Sequence, residues 1–437
     1  MHAATKVLAA ALLLGHLAGC GSSLTDGADA STDGAASTDA VLDVAETFVA
    51  PVDTGVDTGP PAPYPAFRPV LPQVANRGGP VIAAPRIVPV FFSPGDAGTY
   101  PFESDLRAFL AAYMASPEWI AQVGEYGVGA GTVAAPVHTT GVGLSSTTVD
   151  TARLHAWTQT QLRNGAFGTS TPSDIVVLFL DGARQGAAGA GASLCHGIGG
   201  YHESVTDESN QPVALAVIPD CNDNLEVITH ALSHELVEAV SDALPGRSPA
   251  YNQPGTADAP DGAWAIAYDG GELGDMCEQR SDAAYFATSL GHTIQRTWSN
   301  MAAVAMTDPC VPVPAGAVYF NSVPTLGEVI QILGADGVHT VGARGITIAT
   351  GATADVPVRL FSSAPTNGTW QILAHEVIRN GQDPALRFSW DHSSGRNGDT
   401  LTLTIGVHID IPEGRPFVLR STLGHVTTTW VGAVVSP

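Results

Sequence analysis

The run Pro309-Cys-Val-Pro-Val-Pro314 constrains the fold of this chain most, because no regular element can continue through it. Proline lacks a backbone N–H and fixes φ, so three prolines this close together end any helix or central strand. The hydrophobic period differs on the two sides of the break. Before it, Arg86–Phe92 and residues 213–218 read as strands, and Asp174–Leu180 is a short apolar run bounded by turn residues, the pattern of a buried strand. Residues 104–120, 151–162 and 224–244 carry apolar side chains at helical spacing. Strands alternating with helices predict a mixed α/β (α+β) region. After the break, residues 345–349, 357–361, 386–390 and 400–405 alternate apolar with polar and are separated by Gly, Asn and Asp turns. That texture predicts an all-β sandwich.

The N-terminus adds two further segments. Lys6 precedes an apolar stretch over 7–18 that is too short for a stable membrane span, and Leu17-Ala18-Gly19-Cys20 follows. Small residues before a cysteine resemble a lipobox. A lipoprotein signal peptide is therefore expected over 1–20, with Cys20 lipidated and the chain held at a membrane from outside the cytoplasm. Gly21 gives no retention cue, which favours the outer membrane or cell surface. Residues 21–67 hold eight acids and no base and are rich in Ser, Thr, Ala, Gly and Pro. Such a segment buries too little apolar surface to order itself, so 21–70 reads as a tether. This leaves 71–313 and 314–437 as the folded regions, within a length of 437 residues that suits two or three cores.

With 42 acids against 18 bases the chain repels nucleic acid, which excludes that class of partner. Cys195, Cys221, Cys277 and Cys310 remain once Cys20 is set aside. Four cysteines outside the cytoplasm predict two disulfides. Three connectivities are open, and pairing of neighbours, Cys195–Cys221 and Cys277–Cys310, is preferred.

The helix expected over 224–244 carries the chemistry. Ile228, Leu232, Leu236, Ala239 and Val240 form an apolar arc, while His230, His234, Glu235, Glu238 and Asp242 fall outside it. His230, His234 and Glu238 are successive i, i+4 neighbours, the spacing that lets side chains on one face reach one cation. A solvated helix face normally mixes in Lys or Arg. Here nine acids and no base lie between Gln185 and Gly246, which favours a bound cation. Asp220-Cys-Asn-Asp-Asn224 has some features of a calcium loop, but helix capping accounts for it better. His196 and His202 flank a glycine-rich turn and read as surface-loop histidines that could complete a metal shell. His339, His375, His392 and His408 are scattered singly through the C-terminal strands.

The order His234-Glu235-Leu-Val-Glu238 resembles the His-Glu-x-x-His helix of zincin metallopeptidases, and Glu272-Leu-Gly-Asp275 resembles the downstream segment that completes that site. The resemblance implies a zincin-like domain binding Zn2+ through His234, Glu238 and Glu272. It makes Glu235 the catalytic base and has Asp275 orient the ligand histidine through its other ring nitrogen. His230 would be a spare or supporting histidine. The blocks Ser233-His-Glu-Leu-Val-Glu-Ala-Val-Ser-Asp242, Glu272-Leu-Gly-Asp-Met-Cys277 and Ile294-Gln-Arg-Thr-Trp-Ser-Asn300, with Gly-Tyr201-His202 and Val217-Ile-Pro-Asp-Cys221, resemble the exordium and phosphate-induced protein family over roughly 87–312. That resemblance implies secretion and a zincin-like site. The function expected is an extracytoplasmic zinc-dependent hydrolase of peptides or a cell-surface polymer. The alternative is a non-catalytic surface binding protein with a structural metal.

Overall fold

The computed structural model describes residues 62–437, apart from 94–99, 142–143, 145–150, 182–186, 189–191, 196, 222, 255–259, 269, 336 and 380–381. The expected signal peptide, Cys20, most of the tether and His196 lie outside the described residues. The fold is mixed α+β and strand-rich, with several separate sheets.

In the N-terminal half, Arg86–Phe92, Asp174–Leu180 and Pro212–Pro219 run parallel side by side. Tyr201–Thr206 closes one edge antiparallel to Pro212–Pro219, and the short strands Thr132–Val133 and Val137–Thr139 flank the other. Both faces are covered, which is why the central strands read as unbroken apolar runs. Ile87, Phe91, Ile175, Val177, Phe179, Ala216 and Ile218 point to one side, where the helix Leu225–Ser241 supplies Ile228, Leu232, Leu236 and Val240. Val88, Val90, Val176, Leu178, Leu215 and Val217 point to the other, beneath Leu154, Trp157 and Leu162 of the helix Thr151–Arg163. The single helix expected over 104–120 is two, Glu103–Tyr113 and Pro117–Val123. Pro117 opens the second, and the Ser116 hydroxyl caps it by accepting the Trp119 amide at 3.0 Å.

After the proline break the chain forms two sheets. One orders Phe320–Pro324, Thr353–Ser362, Thr400–Val407 and Leu386–Trp390. The other orders Glu328–Leu333, Thr340–Thr347, Val426–Val435, Arg415–Leu423, Trp370–Glu376 and Ser394–Gly395. Inward residues of both meet in a shared apolar core, as in the ring contacts Phe320–Trp370 at 5.2 Å and Phe388–Phe417 at 5.8 Å. The composition-based tether ends earlier than expected. Ala66 donates its amide to Asn397, and Phe67 packs edge-on to Phe361 under the Arg359 guanidinium.

The two halves interlock. Asp261 bridges to Ala343, and the Arg344 amide donates to the Pro260 carbonyl at 2.7 Å. Trp264 meets Trp430 with ring centroids 5.9 Å apart, and the Tyr268 hydroxyl bonds to Thr429. Arg420 donates to the Gln279 carbonyl, and Ser281 to Thr427. Two disulfides form, Cys195–Cys221 and Cys277–Cys310, the pairing of sequence neighbours. No helix among the described residues is long and apolar enough to cross a membrane.

Candidate metal centre

The helix Leu225–Ser241 begins where the Asn224 side chain accepts the Glu226 amide at 3.0 Å. It is buried from Ile228 to Ser241, so the face expected to be polar is not a solvated one. It stops at Asp242, whose carboxylate accepts the Ala250 amide at 2.7 Å. One turn apart on its inner face, His234 Nε2 and Glu238 Oε2 stand 3.1 Å from each other.

The edge strand brings the residue that local sequence did not resolve. His202 is buried on the strand Tyr201–Thr206, not on a surface loop. Its partner in register is Ala216, which faces the site helix, so the imidazole points the same way over a side chain too small to fill the space. His202 Nδ1 lies 3.4 Å from Glu238 and 3.6 Å from Glu235, and its Nε2 lies 3.6 Å from Glu272. That Nε2 is buried without a hydrogen-bond partner.

The third segment is the loop from Glu272 to Asp275. Its backbone turns against the helix, and the amides of Gly274 and Asp275 reach Glu238 Oε1 at 3.1 and 3.3 Å. Only glycine allows this approach, since a Cβ at 274 would sit 2.6 Å from the His234 ring. Asp275 Oδ2 accepts the Glu272 amide, while Oδ1 stands 3.7 Å from His234 Nε2. This corrects the role expected of Asp275. It converges on the same ring nitrogen that faces Glu238, so it stands among candidate ligands and does not orient His234 from behind.

Two buried groupings have donor atoms close enough to hold one ion: His202, Glu238 and Glu272, and His234, Glu238 and Asp275. The expected trio of His234, Glu238 and Glu272 is therefore divided between them, with Glu238 common to both. His230 joins neither. Burial, then the charge of His234, push its pKa down to about 4.

Electrostatics ties the cluster together. Burial opposes charge on His202, yet Glu272, Glu235 and Glu238 outweigh it and hold the imidazole well above its ordinary range. His234 is raised against its own burial by Glu238, Glu235 and Asp275. Burial would raise Glu238, but both histidines hold it well below the usual carboxylate range. Glu235 and Glu272 go the other way, raised chiefly by burial, with His202 opposing in each case.

The residues fit a divalent ion. The imidazole-to-carboxylate separations of 3.1–3.7 Å bracket the spacing of about 3.3 Å between ligands around a tetrahedral ion at roughly 2.0 Å. The donors are nitrogen and oxygen, and the four cysteines of the folded region are committed to disulfides. Two supporting residues carried no signal in the sequence. Asn252 donates to Glu272 at 2.6 Å and to Asp242 at 3.0 Å, tying loop to helix. Gln295 donates its amide to Ser233 and its side chain to the Gly274 carbonyl, which fixes the loop from the other side.

No protein-family description and no curated protein matches the chain. Similarity to solved structures is low. Domains 4 and 5 of the S-layer protein SbsC share 14% identity over 29% of this chain and 81% of that one, at a TM-score of 0.17. Chimeric titin Z1Z2 shares 13% over 28% and 97%, at 0.16, and a titin M10–obscurin-like 1 Ig complex 17% over 21% and 85%, at 0.15. Likeness this low carries no argument about function. What the molecule itself offers is a buried His, Glu and Asp cluster that could hold a metal ion.

Proposed function

We propose that this chain is a metal-dependent hydrolase working outside the cytoplasm, with zinc as its ion and peptides or a cell-surface polymer as substrate. One observation carries the reading. Glu235 is drawn to within 3.6 Å of His202 yet belongs to neither metal-competent grouping, so it is a carboxylate at the site that no ion needs as a ligand. A bound zinc would supply an acidified water and a Lewis acid. One of the two groupings that share Glu238 would hold it, His202, Glu238 and Glu272 or His234, Glu238 and Asp275, with a position left for the water. Glu235, raised by burial toward the range of a general base, accepts a proton at its carboxylate and can return it to a leaving group.

Glu235→Gln tests this. The variant should keep its fold and its metal stoichiometry and lose hydrolysis by at least about 100-fold, because an amide cannot take the proton. Full activity in Glu235→Gln would rule the reading out. A non-catalytic, metal-stabilised binding protein is the second reading, favoured by the 2–4% exposure of all six residues. Metal bound at stoichiometry with no hydrolysis across a broad peptide and ester panel would select it.

Export has its own support. Two disulfides fit an oxidising compartment. The lipobox-like Leu17-Ala-Gly-Cys20 supports a lipid anchor on the N-terminal segment. Cys20→Ser should block processing and abolish partition into detergent. An unchanged mature mass would overturn the anchor.

A further inference from the structure

The five donors of the candidate metal centre do not close on one point. His202, Glu238 and Glu272 have ligand atoms within 4.8 Å of one another, and so have His234, Glu238 and Asp275, but the two groupings do not merge into one. Glu238 is common to both, and its two oxygens have different partners. Oε1 accepts the amides of Gly274 and Asp275 at 3.1 and 3.3 Å, which fixes the carboxylate. Oε2 faces His234 Nε2 at 3.1 Å and His202 Nδ1 at 3.4 Å. A carboxylate oxygen carries two lone pairs, so Oε2 can serve a cation in each grouping.

Each grouping also holds a nitrogen and an oxygen too far apart for a hydrogen bond. His202 Nε2 lies 3.6 Å from Glu272 Oε2, and His234 Nε2 lies 3.7 Å from Asp275 Oδ1. Around a tetrahedral ion with bonds of roughly 2.0 Å, ligand atoms stand about 3.3 Å apart, so each gap is close to the span of one cation. An independent observation comes from His202, which is 4% exposed and whose Nε2 has no hydrogen-bond partner. A buried polar atom left in that state is costly, and ligation removes the cost.

Charge favours the same count. Glu235, Glu238 and Glu272 make their ion pairs with the two histidines. Histidines that bind a metal are neutral, so these three carboxylates and Asp275 must then be balanced by metal alone. One divalent ion offsets half of that buried charge, and two offset all of it.

We propose that the centre binds a pair of zinc ions, one in each grouping, bridged by Glu238 and about 3.5–4 Å apart. The proposal rests on the metal centre of the hydrolase reading and adds a second ion to it. His202 and Glu272 complete one position, and His234 and Asp275 the other. Glu235 stands beside the first, 3.6 Å from His202, and binds neither ion.

The test is the zinc content of the full mature protein after desalting into metal-free buffer, with calorimetric titration of zinc into the chelated form. Wild type should hold about two ions per chain. His234→Ala and Glu272→Gln each remove a ligand from one grouping only, so the folded fraction of each should retain about one ion. Glu238→Gln strikes the shared ligand and should retain less than about one. The wild-type stoichiometry decides even if a variant fails to fold. A single ion in the wild type would overturn the pair and leave the hydrolase reading standing, whereas no ion would overturn both. Two ions that persist in folded Glu238→Gln would also overturn the pair, because the second zinc would then be bound elsewhere. Two ions lost as expected, with no hydrolysis by the wild type, would uphold the pair and count against the hydrolase.

Discussion

Gly274 sets how closely the loop approaches the helix. A methyl group there would lie 2.6 Å from His234 Cε1 and Nδ1 and 2.7 Å from Glu238 Oε1, so Gly274→Ala must displace both candidate ligands. We expect it to cost about 1–3 kcal/mol of stability and to weaken metal binding at least about tenfold, read by denaturant melts and metal analysis. Gly327→Ala, where a Cβ would meet nothing within 4 Å, is the matched control. Among the site residues, His234 and Glu238 were legible because i, i+4 spacing brings them together, and Glu235 through the resemblance of the His-Glu-x-x-Glu order to a zincin helix. His202 was not, because its place depends on the register of an edge strand against Ala216, a contact between distant segments. Asp275 was legible as a participant, but its side of the imidazole is set by the backbone turn at Gly274 and not by residue spacing.

Elements differ in how much local pattern reveals. Asp174–Leu180 and Leu386–Trp390 have the bounds their apolar runs suggest, whereas Tyr201–Thr206 was missed because His202, Glu203 and Ser204 interrupt any alternation. The break between Glu103–Tyr113 and Pro117–Val123 was written in Ser116-Pro117, a cap followed by a first-turn proline, but the apolar period runs across it. Covalent ties then hold elements that the sheet alone leaves loose. Cys195–Cys221 joins the approach to the edge strand to the loop before the site helix, and Cys277–Cys310 follows the Glu272–Asp275 turn directly. Each bridge should contribute about 2–4 kcal/mol, so removing either one should lower Tm. Opening Cys195–Cys221 by Cys221→Ser should also lower metal occupancy, measured on the folded fraction, because it loosens the segment leading to His202. Unchanged occupancy would show that the hydrogen-bonded ladder suffices.

For the whole molecule, the buried cluster makes stability depend on pH in opposite senses with and without metal. His202 and His234 are raised above their unfolded value of about 6.5, so their contribution is complete below that pH and is lost as pH rises through the raised values. Glu235 and Glu272, also raised, act in the same direction. Glu238 acts oppositely, but its depressed value confines that loss to strong acid. Chelated protein should therefore lose Tm as pH rises above about 6.5, while metal-loaded protein should hold or gain, since protons no longer compete. A flat profile in the chelated form would contradict the electrostatic account. The change of texture at Pro309–Pro314 was plain in the sequence, yet the contacts between the segments on its two sides were not, because Trp264–Trp430 and Tyr268–Thr429 join segments far apart in the chain. That interlock bears on heredity as well as on mechanics. The stretch from Pro260 to Ser281, which carries Glu272 and Asp275, is held at both ends by strands of the C-terminal sheets. A gene fusion or recombination at the proline run would give each half a clean terminus and leave the metal-binding turn without its clamp. We expect the two halves to be exchanged together, since replacing the C-terminal sheets alone would remove the contacts that hold the turn.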